Sequence, residues 1–159
     1  MSSDKPRTPQ VRRAQAPDTA AIIMLGEHFH QESFYSHLPY DGQRVADYIS
    51  YVINNPANYC LYVADMQDQI IGVIGGYLDH YLFCDERVAY DTVFYVEKQN
   101  RGSLAAKLLV NAFREWAMEH HACEICLGIS SGINTERVGK FYERLGFTCV
   151  GSIYKLRLR

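Results

Sequence analysis

Residues 94–109 read Phe-Tyr-Val-Glu-Lys-Gln-Asn-Arg-Gly-Ser-Leu-Ala-Ala-Lys-Leu-Leu, and this run limits the fold more than any other. An apolar stretch gives way to a charged turn with one glycine. The turn then opens into a segment of helical period. Leu104, Leu108, Ala112, Phe113, Trp116 and Ala117 fall on one helix face to about His120, while Lys107, Arg114 and Glu115 fall away from it. A second strand-like run, Glu124 to Ile129, comes next. A strand, a helix and a strand in succession imply a parallel pair joined by a crossover.

The segments before this unit predict antiparallel pairing. Val11–Ala14 reads as a short first strand, and Pro17-Asp18 as a helix start with Asp18 as candidate N-cap. That helix carries Ile22, Ile23, Leu25 and Phe29. A second helix, from about Asp41 to Ile53, places Val45, Tyr48, Ile49, Val52 and Ile53 on one face, and Asn54-Asn55-Pro56 ends it. Tyr59–Ala64 and Ile70–Leu78 form a hairpin around Met66–Gln69, and Arg87–Val96 supplies a fourth strand. Gly72, Gly75 and Gly76 within the hairpin point to a bulge or a close backbone approach.

After the crossover, a Ser/Gly loop at Ser130–Gly132 leads to a short helix from about Thr135. It buries Val138, Phe141, Tyr142 and Leu145 and is capped by Gly146. Thr148–Val150 and Ile153–Leu158 read as closing strands. The expectation is one α/β domain over residues 11–159, with a mixed sheet of six to seven strands and helices on both faces, after a mobile leader at 1–10.

Composition narrows the function. The 159 residues carry a formal charge of -2, without the basic balance of a duplex nucleic-acid binder. No apolar run reaches the roughly 18 residues needed to span a bilayer, and the polar first residues lack the apolar stretch of a signal peptide. A cytoplasmic protein is expected, with no nucleic-acid or membrane partner; dimerisation stays open. Five scattered cysteines include a Cys123-x-x-Cys126 pair inside a strand. It has no second pair to complete a zinc site, so buried reduced thiols and no metal are expected.

The chemistry concentrates at the helix end after the fourth strand. The first turn of a helix has unpaired N–H groups and a partial positive charge, and small residues let a phosphate reach them. A pyrophosphate fits that description at Asn100–Ala105, and an ordinary turn capped by Ser103 fits it too. The second informative segment is Asn134–Phe147.

Together the two segments resemble the GCN5-related N-acetyltransferase (GNAT) superfamily. Its coenzyme motif, Gln/Arg-x-x-Gly-x-Gly/Ala, is matched by Gln99-Asn100-Arg101-Gly102-Ser103-Leu104. Its Tyr-x-x-x-Gly-Phe is matched by Tyr142-Glu143-Arg144-Leu145-Gly146-Phe147. Val11-Arg12-Arg13-Ala14 with Pro17-Asp18 is similar to the family's first strand and helix entry, so the likeness runs over about 11–158. Leu104 departs from the motif, which has Gly or Ala there. It either blocks phosphate approach or points into the core in phase with Leu108, and the second is expected because Ala105 and Ala106 keep the turn small.

The resemblance implies a sheet splayed between strands 4 and 5, with acetyl-CoA as cosubstrate. Phe94, Tyr95 and Val96 would meet the pantetheine arm. Gln99, Asn100, Arg101, Gly102, Ser103, Leu104 and Ala105 would meet the pyrophosphate, with Asn134 nearby. It makes Tyr142 the candidate acid for the departing thiolate and Asp91 the candidate base. Glu27, His28, His30, Glu32 and Tyr35, on the first helix and the loop after it, become candidates for the acceptor side. The aromatic and His-rich stretch from Phe29 to Tyr40 suits a small polar or aromatic amine. Transfer to a small amine, transfer to a protein lysine or N-terminus, and a non-catalytic domain of the same fold remain open on these residues.

Overall fold

An ion pair stitches together the start of the expected domain, joining Arg12 to Asp18. Arg12 donates twice to Asp18, at 2.7 and 2.9 Å, and the same carboxylate accepts from the Gln15 amide at 2.7 Å. Asp18 stands at the N-cap position of the helix that follows, as expected, but its carboxylate turns back toward the strand and makes no capping hydrogen bond to that helix. The Arg12 hydrogen bonds overcome the opposing effect of burial and hold the Asp18 carboxyl below its ordinary value.

The computed structural model describes residues 8–159. The expected leader falls outside these up to residue 7; Pro9 is already buried and Gln10 opens the first strand. The elements are β1 (Gln10–Arg13), α1 (Thr19–Glu32), α2 (Gly42–Asn54), β2 (Tyr59–Met66), β3 (Gln69–His80), β4 (Arg87–Val96), α3 (Ala105–Glu119), β5 (Ala122–Cys126) and α4 (Thr135–Arg144). Asp41 caps α2 by accepting from the Arg44 amide at 3.0 Å. The β2–β3 hairpin turns through only Gln67 and Asp68, both left-handed (φ 56° and 63°). Two such residues twist in the sense the strands need.

The strands lie in chain order, β1-β2-β3-β4-β5. The first three pairings are antiparallel and β4–β5 is parallel, as the crossover unit requires. Alternate strand residues feed two cores. Cys60, Ala64, Ile74 and Ala89 meet Leu109, Phe113 and Trp116 of α3. Leu61, Val63, Val73 and Tyr95 meet Leu25 of α1 and Ile49 and Val52 of α2. Each large apolar side chain so buried contributes about 1.5–3 kcal/mol.

Gly76 shows why a glycine is needed. A Cβ there would sit 2.2 Å from the Tyr90 carbonyl oxygen and 2.5 Å from the Phe113 ring. At the same place the register slips: Gly75 faces Val93 and Gly76 faces Asp91, so Thr92 is an extra residue that bends β4.

The sheet has five strands and not six or seven. Residues 148–159 form no ladder, and Val150, Ile153, Tyr154, Leu156 and Leu158 are 58–95% exposed. Their apolar pattern suits an extended backbone, but a strand also needs an edge in register. Here Lys155 and Arg157 hold the tail against Phe34 and Tyr35 instead. The cysteines also depart from expectation. Cys60 is buried, whereas Cys84, Cys123 and Cys149 are exposed: Cys123 lies on the edge strand β5, Cys84 in the loop between β3 and β4, and Cys149 in the tail after α4.

Candidate active site

The β4–β5 ladder runs only from Arg87/Ala122 to Tyr90/Cys126. Beyond Tyr90, β4 continues to Val96 with no strand on that side. The last stitch is a side chain: the Gly128 amide donates to Asp91 Oδ1 at 2.8 Å. A side-chain acceptor thus ends the pairing where a backbone carbonyl would extend it. The strands part, and a cleft of about 330 Å³ opens between them.

One wall of this cleft is Phe94, Tyr95 and Val96 of β4, continuing through Asn100, Arg101, Gly102 and Ser103 to Ala106. Gly102 is left-handed (φ +95°), and a Cβ built there would have nothing within 4 Å. Ser103 Oγ accepts from the Ala105 amide at 3.3 Å. The next amides of α3 have no carbonyl one turn back and are available to an anion. The helix begins at Ala105, two residues later than the sequence suggests. Leu104 stands just before it and is 53% exposed. It neither enters the core nor lines the cleft, and it does not crowd Gly102, where a built Cβ meets nothing within 4 Å. Gln99 and Ala105 also lie outside the lining, Ala105 because it is fully buried.

The opposite wall comes from the loop after β5 and from α4. Tyr142 lines the cleft while only 6% exposed, its ring stacked on Phe94 (6.1 Å between centroids) and tilted against Phe141 and Phe147. Burial first, and the Asp91 charge second, push its hydroxyl well above the ordinary phenol range. Asp91 sits one hydrogen bond behind the lining. Burial lifts its carboxyl to about 6, against the lowering effect of the Gly128 amide.

Other predicted residues serve each other. Arg101 pairs with Glu32 at 2.9 Å, donates through Nε to the Val96 carbonyl at 3.0 Å, and lies over the Tyr95 ring. Tyr95 donates its hydroxyl to Glu32 at 2.6 Å. Burial opposes the ionisation of Glu32, but these two donors prevail and its carboxyl stays below the ordinary value. Arg101 and Glu32 thus fasten α1 to the end of β4 and are already committed. Glu27 is exposed on α1. His28 bonds Glu97 at 2.9 Å, which raises the imidazole pKa. His30 packs on Tyr40, and its Nε2 is buried with no partner. Tyr35 bonds Ser130 Oγ at 2.9 Å.

Arg137 and Arg144 line the cleft beside Asn134 and were not singled out in the sequence. The signal was present: Asn134, Arg137, Val138, Phe141 and Arg144 follow the helical i, i+3, i+4, i+7 rows of one face. Neither arginine makes an ion pair among the described residues, so these are the cations available to an anion in the cleft. Gly128, Ile129, Ser131 and Ile133 were missed as well. They belong to a loop whose position depends on the parting of β4 and β5.

The parallel pair β4–β5 thus parts beside a bare helix end, with Tyr142 lining the opening. The chain belongs to the acetyltransferase (GNAT) family, whose family model matches residues 22–147. No curated protein matches its sequence significantly. Solved structures share its fold at low identity. A Trypanosoma brucei acetyltransferase aligns at 20% identity and TM-score 0.72, over 94% of this chain and 99% of its own. Aminoglycoside N-acetyltransferase AAC(6')-Iy, in complex with the bisubstrate analog CoA-S-monomethyl-acetylneamine, aligns at 16% and TM-score 0.75, over 95% and 98%. Glucosamine-6-phosphate N-acetyltransferase from Arabidopsis thaliana aligns at 12% and TM-score 0.75, over 96% and 99%.

Proposed function

We propose that this protein transfers an acetyl group from acetyl-CoA to a primary amine of a small molecule by direct attack, and does so in the cytoplasm. One observation carries the reading: the unpaired edge of β4, the bare turn at Gly102 and the buried Tyr142 face a single cleft.

The residues present fit the coenzyme. Gly102 offers an anion a place that any other residue's Cβ would restrict, and the arginines of α4 supply unpaired positive charge. Phe94, Tyr95 and Val96 would hold the pantetheine arm. Gly102, Ser103, Ala106, Asn134, Arg137 and Arg144 would hold the pyrophosphate end. Acetyl-CoA, when bound, supplies an acyl carbon activated as a thioester.

The acceptor must present a free amine, whereas an alkylammonium has a reference pKa near 10.4. Asp91, with its carboxyl lifted to about 6, is ionised at neutral pH and close to the working range of a general base. An acceptor that arrives as the ammonium first gives one proton to solvent; Asp91 takes the next, which the amine loses on forming the amide bond, directly or through water. The raised pKa of Tyr142 keeps its hydroxyl protonated over that range. It returns a proton to the sulfur as the carbon–sulfur bond breaks, so one proton leaves the amine and one reaches the thiol. Desolvation strengthens both roles, since charge interactions gain weight away from water.

A small acceptor is favoured because Phe34 and Tyr35, tied to Ser130–Ser131, set an aromatic corner beside Phe29 and Ser131 of the cleft. Two structural neighbours act, by their names, on aminoglycosides and on glucosamine 6-phosphate. The test is a screen with acetyl-CoA, reading free thiol release across alkylamines, amino sugars, aminoglycosides, amino acids and peptides. Acetyl-CoA should first raise the melting temperature by mass action. No shift at millimolar acetyl-CoA, or thiol release with peptides alone, would rule the reading out.

A further inference from the structure

The tail brings two cations into an aromatic corner beside the cleft. Lys155 Nζ lies 3.8 Å from the centroid of the Tyr35 ring and 5.5 Å from that of Phe34, and it donates to the Ser130 carbonyl at 3.0 Å. The Arg157 guanidinium carbon lies 4.9 Å from the Phe34 ring centroid. Aromatic faces attract cations through their quadrupole. Lys155 Nζ is a primary alkylammonium, so its contacts stand in for those of any such group.

The corner does not rely on the tail for its shape. The Tyr35 hydroxyl donates to Ser130 Oγ at 2.9 Å, and the Phe34 amide donates to the Ser131 carbonyl at 2.7 Å. Ser33 Oγ accepts from the Tyr35 amide at 3.1 Å and fixes the turn from inside. The segment after α1 and the loop after β5 are thereby tied to each other. The tail is held less firmly. Its apolar side chains are exposed, and neither Lys155 nor Arg157 has a carboxylate partner among the described residues. A ligand carrying the same charge can displace it at small cost. The corner also adjoins the cleft: the Tyr35 ring lies 6.4 Å from Phe29, which lines the cleft together with Ser131.

We propose that Phe34, Tyr35 and the Ser130 carbonyl form a second-cation subsite of the acceptor pocket, which selects diamines and polyamines over monoamines and which Lys155 occupies until such an acceptor displaces it. This deepens the acetyl-transfer reading and rests on it for the placement of the reacting amine. One ammonium is bound here while another, at the far end of the spacer, enters the cleft.

The experiment is calorimetric titration of the full chain, in the presence of CoA, with α,ω-diaminoalkanes of increasing length and with n-alkylamines of the same lengths. At the best spacing the diamine should bind about tenfold more tightly than the monoamine. Tyr35→Leu should abolish that preference, and Tyr35→Phe should keep most of it because the ring remains. Lys155→Gln should tighten diamine binding about threefold by removing the resident competitor. Phe34→Leu, at an exposed side chain, gives a second route to the same loss should Tyr35→Leu not fold. Equal affinities at every length, or a diamine preference that survives both ring removals, overturns the subsite. Free thiol release separates the two readings. A diamine preference in binding without transfer to any amine sinks the acetyl-transfer reading alone. Transfer to mono- and diamines without any binding preference sinks the subsite alone.

Discussion

The two walls of the cleft are built differently. The β4 wall is backed by both cores: Val96, Ala89, Leu109 and Phe113 on one face, Tyr95 with Val63 and Val73 on the other, all buried. The opposite wall rests on a five-residue edge strand, a ten-residue helix in which Tyr142 alone is buried, and a tail whose apolar side chains lie in solvent. Arg114 reaches across to tie this second wall down, donating to the Leu145 carbonyl at 2.8 Å and lying over the Phe147 ring. Low local burial leaves the second wall freer to adjust than the first.

The contrast can be broken most violently at Gly76. Gly76→Val would drive a side chain into the Tyr90 carbonyl and the Phe113 ring, and should cost more than about 3 kcal/mol, read as loss of the folded baseline in a denaturant melt. Tyr142→Phe removes only a hydroxyl from the second wall, so folding should survive. Turnover should fall about 100-fold with coenzyme affinity little changed, and an unaltered turnover would remove Tyr142 from the chemistry. Gly102→Val should weaken coenzyme binding about tenfold, measured by calorimetry, because it fills the bare turn and forces a valine into a left-handed backbone.

Asp91 tests where the walls meet. Its carboxyl is raised to about 6 in the fold, so between about pH 4 and 6 the native state holds more proton than the unfolded chain. Its contribution to stability therefore falls as pH rises through that window. Asp91→Asn keeps an acceptor for the Gly128 amide and removes the buried charge. It should raise the melting temperature at pH 8 by about 3 °C, with the gain shrinking toward pH 4. It should also remove an acidic limb near pH 6 from the kcat/KM profile. The smallest effect is expected in the tail, where Leu156→Ser should change stability by less than about 0.5 kcal/mol, since its side chain is already exposed.

The frame was legible in the sequence because its elements are fixed by local period. The stripe of α2 from Val45 to Ile53, the α3 face from Leu108 to Ala117, the hairpin glycines and Gly146 after α4 each announce themselves within a few residues. Parallel pairing of β4 with β5 followed from the crossover. The positions that failed depend on neighbours far along the chain. Asp18 stands at the helix cap position, but Arg12 competes for its carboxylate. Leu104 is in phase with the buried face of α3, but the helix starts one residue beyond it, so its side chain turns outward. Lys155, Arg157 and the exposed cysteines could be placed only once the edge of the sheet was known.

The sequence by itself determined a mixed sheet with a crossover, a glycine turn at a helix start and a tyrosine on the following helix, since each rests on contacts within one element or one connection. Tertiary structure alone decided that Asp91 closes the β4–β5 ladder, that Arg101 and Glu32 are spent on each other, and that the last residues leave the sheet for an aromatic corner. Those outcomes are competitions between partners distant in sequence, and periodicity carries no term for which partner wins.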